Sequence, residues 1–70
     1  MNATHIATIL LTDDSAIDVP VQVTGWFSGG RFGYVRPTDW TDIPSADAKL
    51  IRAYVKSGTY AVPVTRLVAV

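Results

Sequence analysis

Seventy residues without cysteine or glutamate make one small domain, with no disulfides, thiolate metal sites or Cys nucleophiles. Six Lys and Arg balance six Asp for a formal net charge of +0, which removes any global field drawing the chain to nucleic acid or to an anionic membrane. The longest apolar stretches, residues 9–11 and 67–70, fall far short of the roughly 20 needed to cross a bilayer, and the N-terminus lacks a basic-then-apolar leader, so the expectation is a cytoplasmic protein with no membrane partner.

In chain order, residues 5–12 are rich in β-branched residues and end at Asp13-Asp14-Ser15, a cluster whose side chains cap turns: a strand, then a turn. Residues 17–27 follow, with Ile17, Val19, Val21 and Val23 alternating against Asp18, Pro20, Gln22 and Thr24. That is the period of a half-buried strand. Pro20 has no N–H to donate, so its part of the strand belongs at an edge or a bulge.

Ser28-Gly29-Gly30 can take the positive φ angles of a hairpin turn, and residues 31–36 read as the returning strand, stopped by Pro37. A hairpin over roughly residues 19–36 is the firmest local feature.

Residues 44–58 allow two readings. Ser45 after Pro44 suits a helix N-cap, Asp47 suits the first turn, Leu50, Ile51, Tyr54 and Val55 share a helical face, and Gly58 is a good stop. Ile51, Ala53 and Val55 also alternate, and Ser57-Gly58 could join two strands. The abundance of Ala, Lys, Leu and Arg favours the helix, near residues 46–57. Residues 59–70 read as a last strand, with Pro63 marking an edge or bend and Val64, Leu67 and Val68 available to the core. Ile17-Asp18-Val19-Pro20-Val21 is faintly echoed by Tyr60-Ala61-Val62-Pro63-Val64; two copies of so short a pattern fit either chance or two edge strands solving one problem.

The fold expected is mainly β: a small, partly open barrel of the OB or SH3-like kind, with four or five strands and one short helix. A chain of this size buries only about 60% of its unfolded surface, so a partner or self-association into a homo-oligomer would add to a thin stability margin.

Catalytic equipment is sparse. His5 is the only histidine and reads as a surface residue at a strand start, with no Ser or Asp assigned to it by spacing. Asp13-Asp14 and Asp39 with Asp42 are pairs of the kind turns attract for backbone hydrogen bonding. A transition-metal site is not expected, and Gly29-Gly30 lacks the spacing and Lys of a phosphate loop. The chain reads as a non-enzyme without cofactor. Charge is uneven: residues 1–18 carry Asp13, Asp14 and Asp18 with no Lys or Arg, and residues 49–70 carry Lys49, Arg52, Lys56 and Arg66 with no acid. That fits either a basic face or an ordinary solvated surface.

The most informative segment is Trp26-Phe27-Ser28-Gly29-Gly30-Arg31-Phe32-Gly33-Tyr34-Val35-Arg36-Pro37, followed by Thr38-Asp39-Trp40-Thr41-Asp42-Ile43. It resembles the first half of a cold-shock domain: Trp-Phe, a polar turn, a basic residue, an aromatic-Gly-aromatic strand, an X-Pro, a polar loop and Asp-Ile. The resemblance covers about a quarter of the chain by alignment of that pattern. The family's second aromatic and histidine motif is replaced here by Pro44-Ser45-Ala46. It implies an OB-fold surface whose aromatics stack on single-stranded DNA or RNA, with Trp26, Phe32, Tyr34 and Trp40 as stacking groups and Arg31 and Arg36 as phosphate contacts. Gly33 would leave the opposite face of its strand open to close approach. The same aromatics also suit core and cross-strand packing. Gly25-Trp26-Phe27, Gly33-Tyr34-Val35 and Tyr60-Ala61-Val62-Pro63-Val64 are similar, more faintly, to the SH3-like barrel of plasmid-borne type II dihydrofolate reductases. The Val-Gln-Ile-Tyr run of their shared pore is absent, so that likeness implies a barrel and not the activity.

Two functions follow as expectations: binding of single-stranded nucleic acid, or a small protein-interaction module, an inhibitor or adaptor, docking by an aromatic patch or an edge strand.

Overall fold

The structure, a computed structural model, describes residues 2–70. Its elements are β1 (His5–Leu10), β2 (Ala16–Phe27), β3 (Phe32–Pro37), α1 (Ser45–Lys56), β4 (Ala61–Pro63), a 3₁₀ turn (Val64–Arg66) and β5 (Leu67–Ala69). The strands form one antiparallel sheet in the order β4-β3-β2-β1-β5.

That order requires curvature. Laid flat, the two outermost strands would stand about 19 Å apart, four strand spacings. The chain passes from Pro63 to Leu67 through a single 3₁₀ turn, a reach of at most about 14 Å even if fully extended. The sheet therefore curls until β4 and β5 come near each other, yet the two are not hydrogen-bonded neighbours. The result is a small, partly open barrel.

β2 is the spine, pairing with β1 through residues 16–21 and with β3 through residues 21–27. Its register against β3 shifts between Val23 and Gly25, so Thr24 is the extra residue of a bulge that bends the strand. The ladder to β3 begins at Val21↔Pro37, so at Pro20 β2 has a strand neighbour only on the β1 side. The Pro20 carbonyl accepts the Thr38 N–H at 2.9 Å. Its missing N–H thus costs no ladder bond, as expected of a locally free edge.

The core is aliphatic: Ala7 and Ile9 of β1, Val19 and Val21 of β2, Val35 of β3 and Val62 of β4. Ile9, Val19 and Val21 are the largest fully buried side chains, each contributing about 1.5–3 kcal/mol by leaving water. Leu11 and Ile43 from the loops and Ala48 and Ile51 from α1 extend the cluster.

The helix, not the hairpin, occupies residues 45–56, but two details differ from expectation. Pro44 occupies the N-cap and Ser45 is already helical, with no side-chain cap; proline's fixed φ suits the entry turn, and the Ala48 N–H bonds the Pro44 carbonyl at 2.8 Å. The buried stripe runs through Asp47, Ala48 and Ile51, with Val55 packed against the core, while Leu50 and Tyr54 are more than half exposed. The sheet meets the helix one step around its axis from the face the apolar spacing indicated. At the C-terminus, the Thr59 N–H bonds the Tyr54 carbonyl at 2.9 Å and the Gly58 N–H the Val55 carbonyl at 3.0 Å. With Gly58 at φ +73°, this is a Schellman ending.

The last segment is two strands rather than one. The 3₁₀ turn after Pro63 carries the chain from one outer strand to the other and resets the alternation, so Val62 enters the core and Leu67 packs against it, while Val64 and Val68 are exposed. Among the described residues, no helix is long and apolar enough to cross a membrane.

Candidate functional site

The β2–β3 hairpin turns on Ser28, Gly29 and Gly30, all with positive φ, and pairs Phe27 with Phe32, Trp26 with Gly33 and Gly25 with Tyr34. On β3, Gly33 and Val35 are buried, and Phe32, Tyr34 and Arg36 alternate onto the outer face. The Thr24 bulge decides what β2 contributes there. Without it, the alternation that points Val19, Val21 and Val23 inward would also turn Phe27 inward and Trp26 outward. With it, the two exchange places.

Phe27 accordingly joins the outer face. Its ring stacks on Tyr34 at 4.5 Å between centroids and on Phe32 at 5.4 Å, with interplanar angles of 24° and 19°. These three half-buried rings form a continuous aromatic strip with Arg36 beyond Tyr34 on the same side of β3. Arg31 stands exposed at the end of the turn, next to Phe32.

Trp26 lies on the other side. Its indole crosses Gly33, approaches Leu67 of β5, and meets the His5 ring edge-on at 5.6 Å. It is 48% exposed. His5, first residue of β1, has Nδ1 2.9 Å from the Thr4 hydroxyl oxygen, which also accepts the Val23 N–H beside the bulge at 2.9 Å. Trp40 is separate again: it packs against the core cluster with the Arg52 guanidinium 4.6 Å from the ring centroid, a contact of about 0.5–1 kcal/mol. Of the six residues singled out from the sequence, the structure thus brings Phe32, Tyr34 and Arg36 together, leaves Arg31 at the margin, and puts Trp26 and Trp40 elsewhere. Phe27 was not among them. A register count across the hairpin would have paired it with Phe32, but Thr24 is an ordinary strand residue and nothing in its identity marks the bulge.

Beside the strip is a notch of about 110 Å³. Tyr34, Val35 and Arg36 of β3, Thr24 of the bulge, Val55 and Gly58 at the end of α1, and Tyr60 line it. It exists because β4 pairs only with residues 32–34 of β3; beyond them the Val35 N–H bonds the Tyr60 carbonyl at 2.9 Å, and the Schellman turn swings the chain away. Burial pushes the Tyr60 phenol above its usual range, with Arg66 opposing and Asp47 adding to the shift.

The aspartates serve turns and packing. Asp13 Oδ1 accepts from the Ser15 hydroxyl and N–H, and Asp39 Oδ1 from the Thr41 hydroxyl at 2.6 Å and N–H at 2.9 Å; these bonds hold both carboxyls below their ordinary value. Asp47, the one buried charged side chain among the described residues, accepts the Thr12 N–H at 2.9 Å and ties α1 to the β1–β2 turn. No group of three or more His, Cys, Asp or Glu among the described residues is placed to hold a metal ion.

No family model, no curated protein and no solved structure matches this chain.

Proposed function

We propose that the protein binds single-stranded DNA or RNA without catalysis, through the outer face of the β2–β3 hairpin. The observation that carries this is the Phe27–Phe32–Tyr34 stack with Arg36 beside it on one strand face. Aromatic side chains on a sheet stack with bases of any sequence, at about 1–3 kcal/mol per base, and arginines track the phosphates. The resemblance of residues 26–43 to a cold-shock domain supports the same reading. With Arg31 and Arg36 as two phosphate contacts on a neutral chain, the affinity should fall with a log–log salt slope of about −1.4.

Fluorescence anisotropy of labelled oligothymidine and oligouridine, at low and then physiological salt, tests it. Saturable binding with that shallow slope is expected; no binding even at low salt overturns the proposal.

A second reading, a protein-interaction module, draws on β5. Its side away from β1 has no strand neighbour among the described residues, residues 67–70 carry neither charged side chain nor proline, and Val68 and Val70 are 67% and 79% exposed. β4, at the opposite end of the sheet, is blunted by Pro63. A partner strand added to β5 would bind with little salt dependence, and salt-insensitive complex formation lost in Val68→Lys distinguishes this reading.

A further inference from the structure

We propose that the notch between the end of α1 and the outer face of β3 is a seat for one nucleobase, taken from a strand lying across the aromatic strip. This rests on the nucleic-acid reading and adds to it a second, differently built contact.

Size is the first argument. A volume of about 110 Å³ is below the roughly 300–1,000 Å³ of a small-molecule pocket. It is nearer the roughly 150 Å³ of a cavity that admits one benzene ring, the scale of a single base.

The lining is the second. Tyr34 brings an aromatic ring, Val55 an apolar surface, Thr24 a hydroxyl and Arg36 a guanidinium, with no carboxylate among the lining residues. A planar, uncharged ring with polar edges attached to a phosphate matches each of these groups.

Continuity is the third. Tyr34 belongs both to the ring stack and to the notch lining, so a strand whose bases lie on Phe27 and Tyr34 passes the opening. Gly58 leaves the notch unfilled: nothing lies within 4 Å of where its Cβ would stand.

The test is an NMR titration with uridine 5′-monophosphate and adenosine 5′-monophosphate, with ribose 5-phosphate as the baseless control. Saturable shifts of the Val55, Gly58 and Tyr60 signals are expected with the nucleotides, at least tenfold weaker with ribose 5-phosphate. Thr24→Phe, which fills the notch from an exposed position, should weaken the nucleotide response while oligothymidine still binds. Equal shifts with ribose 5-phosphate would overturn base recognition. Oligothymidine binding with nucleotide shifts confined to Phe27, Phe32 and Tyr34 would overturn the notch and leave the strand reading standing. Absence of both mononucleotide and oligothymidine binding would overturn both.

Discussion

Trp26 and Gly33 face each other across the β2–β3 ladder, and a Cβ on residue 33 would stand 3.2 Å from the indole Cζ3 and 3.3 Å from Leu67 Cδ1. Gly33→Ala should therefore push the indole off β3 and loosen the approach of β5. The expected cost is about 1–3 kcal/mol, as for other overpacked sites, read by urea denaturation together with a change in Trp26 emission. An unchanged midpoint and spectrum would show that the indole does not lie against residue 33.

The bulge separates neighbours into different roles, and paired variants expose this. Phe27→Ala should weaken oligothymidine binding by about 5- to 150-fold, the equivalent of one stacked base. Trp26→Phe should leave binding nearly untouched while altering stability. The reverse pattern in an anisotropy titration would place the binding surface on the inner side of the hairpin.

Asp47 holds the β1–β2 turn to the helix. Asp47→Ala leaves the Thr12 N–H without its acceptor, at an expected cost of about 1–3 kcal/mol. Asp47→Asn keeps an acceptor oxygen and should cost less. Hydrogen exchange at the Thr12 amide should accelerate in the alanine variant well before global unfolding.

Gly58 ends the helix with φ +73°. Gly58→Ala should destabilise by about 1–2 kcal/mol, because an L side chain in that region crowds its own carbonyl, and Gly58→Asn by less. Thermal melts followed by circular dichroism decide this, and equal melting points for all three proteins would argue against the Schellman ending.

Asp13 and Asp39 titrate below their ordinary value of 3.8 because Ser15 and Thr41 donate to the ionised form. Folding thus favours the carboxylates: their contribution is present above pH 3.8 and disappears as pH falls through the lower folded-state values. Melting temperatures between pH 6 and pH 2 should fall at the acid end, with a smaller drop in Asp39→Asn. Carboxyl signals titrating at or above 3.8 would contradict the assignment.

The parts of this fold legible in the sequence are those set by chemistry within a few residues. The Ile17, Val19, Val21, Val23 alternation, the Ser-Gly-Gly turn and the prolines at locally free strand positions each act over a short span, and the structure places all three as read. The Ala, Lys, Leu and Arg content of the next segment favours a helix near residues 46–57, and the structure forms one at Ser45–Lys56, closed by Gly58. What could not be read depends on distant contacts. Which of Leu50 and Ala48 is buried follows from where the sheet lies, and the 3₁₀ turn after Pro63 follows from the need to reach β1. The candidate site divides the same way. The Phe32, Tyr34, Arg36 alternation lies within one strand, whereas the exchange of Trp26 for Phe27 arises from the fit of β2 to two partners at once.

The β1–β5 ladder has a kinetic consequence. It joins His5 to Ala69 and Ala7 to Leu67, the most widely separated strand partners in the chain, whereas the β2–β3 hairpin closes locally. Loop-closure entropy places such a seam late in assembly, after the hairpin that carries the aromatic strip has formed. It should also open first and most often, through local fluctuations that expose β5 while the rest of the barrel persists. The strip would then keep its shape through excursions in which the barrel's far wall comes and goes.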